Sequence, residues 1–412
     1  MKKIIFCLVL LLSLFLIIGC QPQGERELVR DSSERPGGPP GGFQCSVQPG
    51  EWVPERGECP GTTSEMRTKC EEFCAKHKDC CAPGQEGRDF GGRNNFALPE
   101  SKDIAELTRS YPSTIKAINE GPAIYGQGQY ELISDETVDL MKETGFNTIQ
   151  LLTINDCTGE KCLMDETSKS VLLNDIVQAK KKGLAVWVAT EFVNAPPGSD
   201  IKLPEYQKFK TIYLDFSREI GALMEQYQVE YLTVNNEPDL FLQEQTQWGS
   251  EEQISQYITK LMPLAVAAAK ENFHGKIINK ITQPQKRSAE LLAASFKNAD
   301  IAGVDVGPPM SAQLSYENYI KEFADYKYYA TLAKKAGVPW MNAEYWQYNY
   351  FAIPTEFIKL NQLKYAQVSF NAYLAVEPKG AGYVWNDFRT FSLEPNGEAT
   401  QQEIKKFFGE MG

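Results

Sequence analysis

From about residue 120 onward, short apolar runs alternate with amphipathic stretches at helical spacing, and the alternation repeats eight times. The apolar runs predict strands over 122–126, 147–153, 185–190, 230–235, 276–281, 301–306, 339–343 and 382–385. Helices are predicted over 136–144, 171–182, 206–227, 251–272, 289–297, 316–336 and 356–376, with 401–408 closing the series. Gly145, Gly183 and Gly337 follow three of these helices, where a left-handed residue ends the helix. Eight strand-then-helix units predict an α/β chain folded as a (β/α)8 TIM barrel. A doubly wound sheet also alternates, but this chain lacks the Gly-rich phosphate turn that such a sheet commonly carries.

The residues ahead of the barrel have a different character. Lys2 and Lys3 precede an apolar run, Ile4–Ile18, and Gly19-Cys20 follows it. A basic start, a short apolar stretch and a small residue before the cut make a secretory signal over 1–20. Its end resembles a prokaryotic lipobox, which implies that Cys20 is lipidated and tethers the chain to the outer face of a cell membrane. An uncleaved anchor is the alternative, but the run is shorter than the roughly 20 residues a spanning helix needs. Residues 21–44 contain Arg35-Pro36-Gly37-Gly38-Pro39-Pro40-Gly41-Gly42, a linker that cannot build a core. Residues 45–95 form a small cysteine-rich module holding Cys45, Cys59, Cys70, Cys74, Cys80 and Cys81. Export and an even count favour three disulfides, of pairing not readable from sequence. Zinc held by Cys70, Cys74, His77, Cys80 and Cys81 is the alternative. The barrel is expected over 96–412, with Cys157 and Cys162 bracing the loop after strand two through a local disulfide.

Charge narrows the partners. A net charge of −12, with no basic run, argues against nucleic acid. The chain has only two histidines, His77 and His274, so a zinc hydrolase is not expected, and no metal or cofactor is called for. A monomer touching the membrane through its lipid alone is the expectation.

The chemistry lies in two glutamates at strand ends. Strand four runs through Val234-Asn235-Asn236 into Glu237-Pro238, and strand seven through Met341-Asn342-Ala343 into Glu344. A carboxylate at the end of a buried strand is costly unless it has a task. In a barrel the chemistry sits where strands end. Glu237 could instead be a plain helix-start acid and Glu344 a surface residue, but the polar Asn235-Asn236 and the aromatic Tyr345-Trp346 fit those alternatives poorly.

This arrangement resembles clan A of the glycoside hydrolases, the retaining (β/α)8 enzymes, across residues of roughly 120–412. In that clan Asn-Glu-Pro ends strand four and a second Glu ends strand seven. The resemblance implies that Glu237 is the acid/base, Glu344 the nucleophile, Asn236 a holder of the sugar 2-hydroxyl, and Trp385 in Tyr383-Val384-Trp385 a platform under the sugar. Further substrate contacts are expected from Tyr125 after strand one, Asn155 after strand two, Glu191 after strand three, Asp305 ending strand six, and Tyr345 and Trp346 beside Glu344. Gln127, Asn194, Gln283, Tyr348 and Tyr350 are further candidates. The chain departs from the clan in lacking an Arg after strand two and a catalytic His, since His274 precedes strand five at the opposite end. The implied activity is retaining hydrolysis of a β-linked oligo- or polysaccharide at the cell surface. A carbohydrate-binding or adhesive barrel without turnover is the alternative. An enolase-type metal site would need acids ending strands three to five, and strand five offers Lys280 and Gln283 instead.

Overall fold

The computed structural model describes residues 97–119, 132–155, 157, 160–192, 206–238, 257–281, 289–306, 316–345, 355–385 and 397–412. The signal, the linker and the cysteine module lie outside the described residues. So do Tyr125, Gln127, Asn194, Gln283, Trp346, Tyr348 and Tyr350.

Eight parallel strands close into a barrel in chain order. They are β1 (Ile115–Asn119), β2 (Thr148–Asn155), β3 (Ala185–Phe192), β4 (Tyr231–Thr233), β5 (Lys276–Ile281), β6 (Ile301–Asp305), β7 (Trp340–Tyr345) and β8 (Gly382–Trp385). A short helix α1 (Ser101–Ala105) precedes β1. The barrel helices are α2 (Asp135–Thr144), α3 (Glu166–Lys181), α4 (Tyr206–Gln226), α5 (Met262–Lys270), α6 (Ala289–Phe296), α7 (Tyr316–Ala336), α8 (Thr355–Leu374) and α9 (Gly397–Glu410). Ser134 and Asp165 cap α2 and α3 by accepting from the backbone N–H groups of Thr137 and Ser168. Gly145, Gly183 and Gly337 adopt φ of +99°, +83° and +77° after α2, α3 and α7, as their positions in the sequence predicted.

Two predicted elements differ. Strand one is Ile115–Asn119, not 122–126. Ile115 and Ala117 turn into the barrel and Ile118 turns out, a period of two that pairs with both β2 and β8. The predicted run begins at Pro122, which has no N–H for a ladder, and it lies outside the described residues. The helix predicted over 251–272 is described as a π-helical turn, Tyr257–Leu261, followed by α5 with Pro263 in its first turn. Proline there withholds one backbone N–H from the helical ladder, where the π-helical turn gives way to α5.

Alternation along the strands builds two cores. Inside the barrel, Ile115, Ala117, Ala185, Trp187, Tyr231, Ile278, Ile301, Met341, Ala343 and Val384 pack together. The Trp187 indole N–H donates to Thr233 Oγ1 at 2.9 Å, and that hydroxyl donates to the Ile278 carbonyl at 2.7 Å. Gly303 faces this interior on β6, where a Cβ would come within 2.8 Å of the Ala343 Cβ. The residues of opposite parity pack against the helices. That outer layer is notably aromatic behind β7 and β8, where Trp340, Tyr383 and Trp385 meet Tyr326, Phe370, Tyr373 and Phe407, and Tyr345 packs on Tyr383 and Trp385.

A buried polar chain runs through this layer. Asn342 of β7 donates to Tyr326 of α7, and the Tyr326 and Tyr383 hydroxyls both meet Ser369 Oγ of α8 at 2.9 Å. Glu322 is buried beside it, 1 % exposed. Burial pushes its carboxyl up to about 8 against an ordinary value of 4.5, with Asp325 adding to the shift and Ser369 opposing it. The folded chain therefore holds this proton longer than the unfolded chain does. The stabilisation from the neutral form is complete below about pH 4.5 and is lost as pH rises through about 8. Glu322→Gln, which cannot ionise, is expected to flatten that decline. Denaturant unfolding at pH 5 and pH 9 should show the variant losing less stability than the wild type, by an amount on the order of a few kcal/mol. Equal losses in the two proteins would refute the assignment.

Candidate active site

The C-terminal ends of β3 to β7 bring five ionisable groups together at one end of the barrel. β3 supplies Glu191, the segment after β4 supplies Glu237 next to Asn236, β5 supplies Lys280, β6 supplies Asp305, and β7 supplies Glu344. Parity explains three of them. Glu191, Lys280 and Asp305 follow the inward residues Trp187, Ile278 and Ile301 by even numbers of positions.

Glu344 needs a local device. Val304 pairs with Asn342 while Asp305 pairs with Glu344, and Asn342 pairs with Tyr383 while Tyr345 pairs with Trp385. On both sides β7 carries one residue more than its neighbour, which is a β-bulge. It turns both Ala343 and Glu344 inward and returns Tyr345 to the helix layer. Glu237 is also set by unusual backbone, at φ +49°, a left-handed conformation that costs a non-glycine residue roughly 1–3 kcal/mol. Such strain is concentrated at functional sites. Asn236, just before it, is anchored by its N–H on the Thr190 carbonyl at 2.7 Å.

The charges are tightly arranged. The Lys280 side chain is 0 % exposed. Its ammonium lies against the Glu344 carboxylate, 3.2 Å from Glu237 Oε1 and 3.4 Å from Asp305 Oδ2. Burial alone would drive Lys280 towards neutrality, but the surrounding carboxylates, Asp305 foremost, outweigh it and hold the group charged. One carboxylate oxygen each from Glu237, Asp305 and Glu344 lies within 4.8 Å of the others. That spacing could also hold a cation, but the Lys280 ammonium already contacts all three. Glu191 accepts a hydrogen bond from Asn236 Nδ2 at 2.6 Å. Its carboxyl is pushed up to about 7, first by burial and then by the nearby Glu237 charge.

The predicted site residues separate clearly. Glu237, Glu344, Asn236, Glu191 and Asp305 converge. Asn236 turns its amide to Glu191, so it shares a hydrogen-bonded pair with that residue. Asn155 lies within β2, fully buried, and donates to Thr153 Oγ1 and the Glu191 carbonyl, so it braces the end of β3. Trp385 and Tyr345 do not form a sugar platform. β8 has regular parity, so Tyr383 and Trp385 face the helices while Val384 faces the interior. The Trp385 ring lies 5.5 Å from Tyr345 and 6.0 Å from Phe370, and is 1 % exposed. Tyr345 is 0 % exposed, with its hydroxyl on the Tyr365 carbonyl. Neither ring has a face open to a ligand. Cys157 and Cys162 are joined by a disulfide in the segment after β2, as the sequence suggested.

Lys280 is the site residue that the sequence reading did not single out. The signal was present in Lys276-Ile277-Ile278-Asn279-Lys280-Ile281, where a lysine shares the face of an inward isoleucine. A lysine there needs anionic partners, because a lone buried charge is unaffordable.

No protein-family model matches the sequence, and no curated protein does. Solved structures match the fold. A GH113 β-1,4-mannanase aligns at TM-score 0.52 and 14 % identity, over 72 % of this chain and 99 % of that one. The GH113 β-mannanase AaManA from Alicyclobacillus acidocaldarius aligns at TM-score 0.50 and 12 % identity, over 73 % and 99 %. A family 5 glycoside hydrolase from Prevotella bryantii B14, solved with a xyloglucan tetradecasaccharide, aligns at TM-score 0.53 and 13 % identity, over 76 % and 100 %. This chain is therefore similar in fold to the (β/α)8 barrels of glycoside hydrolase families 113 and 5, both of clan A.

Proposed function

We propose that the chain is a retaining β-glycoside hydrolase that acts on an oligo- or polysaccharide at the outer face of a prokaryotic cell membrane, tethered there through a lipid on Cys20. The observation that carries this reading is the meeting of Glu237 and Glu344 at one end of the barrel, with carboxylate oxygens within 4.8 Å. Retaining enzymes set their two carboxyls about 5–5.5 Å apart, whereas inverting enzymes leave roughly 6.5–9.5 Å for a water. The short separation supports double displacement.

In that mechanism Glu344 attacks the anomeric carbon while Glu237 protonates the departing oxygen. A glycosyl ester forms on Glu344. Glu237, now ionised, takes a proton from water, which attacks the same carbon and frees Glu344 with net retention. Glu191 lies near enough to Glu237 to feel its charge and holds a proton near neutrality, which adds a third carboxyl to the site's proton inventory. Tyr125 and Trp346 stay candidates for substrate contact. The cysteine module over 45–95 would be carried on the same tether, stapled by its disulfides.

The test is a panel of aryl β-glycosides and β-glycans, with mannan and xyloglucan included because structural neighbours are named as β-mannanases and one was solved with a xyloglucan. The expected result is turnover on at least one substrate, with proton NMR showing the β-anomer as the first product. An α-anomer first would overturn retention. A second reading, a carbohydrate-binding barrel without turnover, draws on the contact of Lys280 with both glutamates, since a working general acid must shed an ammonium before it can donate. Glycan binding with no hydrolysis across the panel would establish it.

A further inference from the structure

Among the described residues, Lys280 is the one cation inside a site of four carboxyl groups, and all four elements around it present acids to it. β3 brings Glu191, the end of β4 brings Glu237, β6 brings Asp305 and β7 brings Glu344. We propose that Lys280 is a positioning residue, which keeps the Glu344 carboxylate ionised and fixes its aim, with Asp305 holding the Lys280 ammonium in place from the neighbouring strand. This rests on the reading of the barrel as a retaining hydrolase, and it assigns Lys280 the work that an Arg after strand two or a His would otherwise do.

The geometry carries the proposal in three steps. First, Glu344 reaches the interior only through the bulge in β7, so its backbone alone does not define where its carboxyl points. A direct ammonium contact from strand β5 constrains it. Second, the ammonium contacts Glu344 and also reaches Glu237 and Asp305, at 3.2 and 3.4 Å. Contact with the nucleophile suits the chemistry, because that carboxyl must be ionised before each first displacement. Third, Asp305 lies on β6, between β5 and β7, with its side chain 2 % exposed. A carboxylate there balances the ammonium, so that one unit of positive charge is not drawn wholly onto Glu237. Buried ion sets of this kind hold geometry only while every member has its partner.

The experiment compares the wild type with Lys280→Met, Lys280→Arg and the double variant Lys280→Met/Asp305→Asn, each checked for folding by near-ultraviolet circular dichroism. Two readouts are taken. The first is kcat and KM on an activated aryl glycoside across pH. The second is the carboxyl carbon titration of Glu344 in protein labelled with carbon-13 glutamate, assigned with Glu344→Gln, which needs no turnover. Lys280→Met is expected to lower kcat by roughly 10²-fold or more with KM little changed, on the scale of removing one preorganised electrostatic group. The acid limb of its kcat/KM profile should move to higher pH, and so should the Glu344 titration. Lys280→Arg should regain part of the loss.

Full activity in Lys280→Met/Asp305→Asn would overturn the proposal, because it would reduce Lys280 to a counter-charge for Asp305. A Glu344 titration unmoved in Lys280→Met would overturn it as well. If the wild type turns over no glycoside, the hydrolase reading fails by itself, and the Glu344 titration still decides whether Lys280 controls that carboxyl.

Discussion

Glu344→Gly is expected to reduce turnover of an aryl β-glycoside by about 10⁴-fold or more, on the scale of removing a covalent nucleophile. Added azide should restore product formation, and the product should be the α-glycosyl azide. A small anion can occupy the space left by the missing carboxylate and attack from the face Glu344 occupied, with no second displacement to follow. Glu237→Ala should behave differently. With an activated phenol as the leaving group, the first displacement needs little acid assistance, so the loss falls on hydrolysis of the glycosyl ester, on the order of 10²–10⁴-fold. Azide should relieve this step too, but by attacking the ester, which yields the β-azide. The anomeric configuration of the two azides thus assigns the roles independently of the size of either rate loss. A β-azide from the Glu344 variant would exchange the roles, and activity near the wild-type level in either variant would remove that residue from the mechanism.

At the other end of the barrel, Lys180→Met should cost the fold roughly 3–5 kcal/mol, the usual penalty for removing one partner of a buried ion pair. Glu230 stands just before β4, 1 % exposed, and Lys180 of α3 reaches it at 2.5 Å with its own side chain 3 % exposed. Glu230 Oε1 also accepts from the Ser110 N–H and Oε2 from the Val186 N–H, so this one carboxylate ties the segment before β1 and the strand β3 to β4. Removing Lys180 strands the charge while leaving those two backbone donors dependent on it. Lys180→Met/Glu230→Gln should recover part of the loss, since the amide is neutral and keeps an acceptor oxygen. Guanidinium unfolding curves of the three proteins measure both effects. A Lys180→Met midpoint matching the wild type would mean that desolvation cancels the pair's attraction. Because the pair lies at the opposite end from Glu237, turnover well below the unfolding transition should be unchanged.

Much of the architecture was legible in the chain. A parallel strand buried on both faces reads as a continuous apolar run, and the barrel helices show their own period, so eight alternations specify a barrel. The runs 276–281 and 382–385 coincide with β5 and β8, and 316–336 coincides with α7. Strand one was misplaced because two short apolar runs, 115–119 and 122–126, follow each other closely in the chain, and only pairing with both β2 and β8 distinguishes Ile115–Asn119. The two glutamates were legible because a carboxylate closing an apolar run is rare without a task. The aromatic platform was not, since a tryptophan on a barrel strand reads alike whichever face it takes.

The sequence by itself determined the eightfold alternation, the positions of Glu237 and Glu344 at strand ends, and the pairing of Cys157 with Cys162. All of these follow from local pattern: hydrophobic period, end-of-strand polarity and short separation along the chain. Only the tertiary structure decided which side chains face the interior. A single extra residue in β7 reverses parity after Ala343, so Glu344 enters the site and Tyr345 leaves it, and the bulge exists only as a register between strands far apart in sequence. Lys280 likewise has no meaning as an isolated residue. Its charge is tolerable because four strands deliver carboxyls to one point, and closure of the barrel is what brings them there.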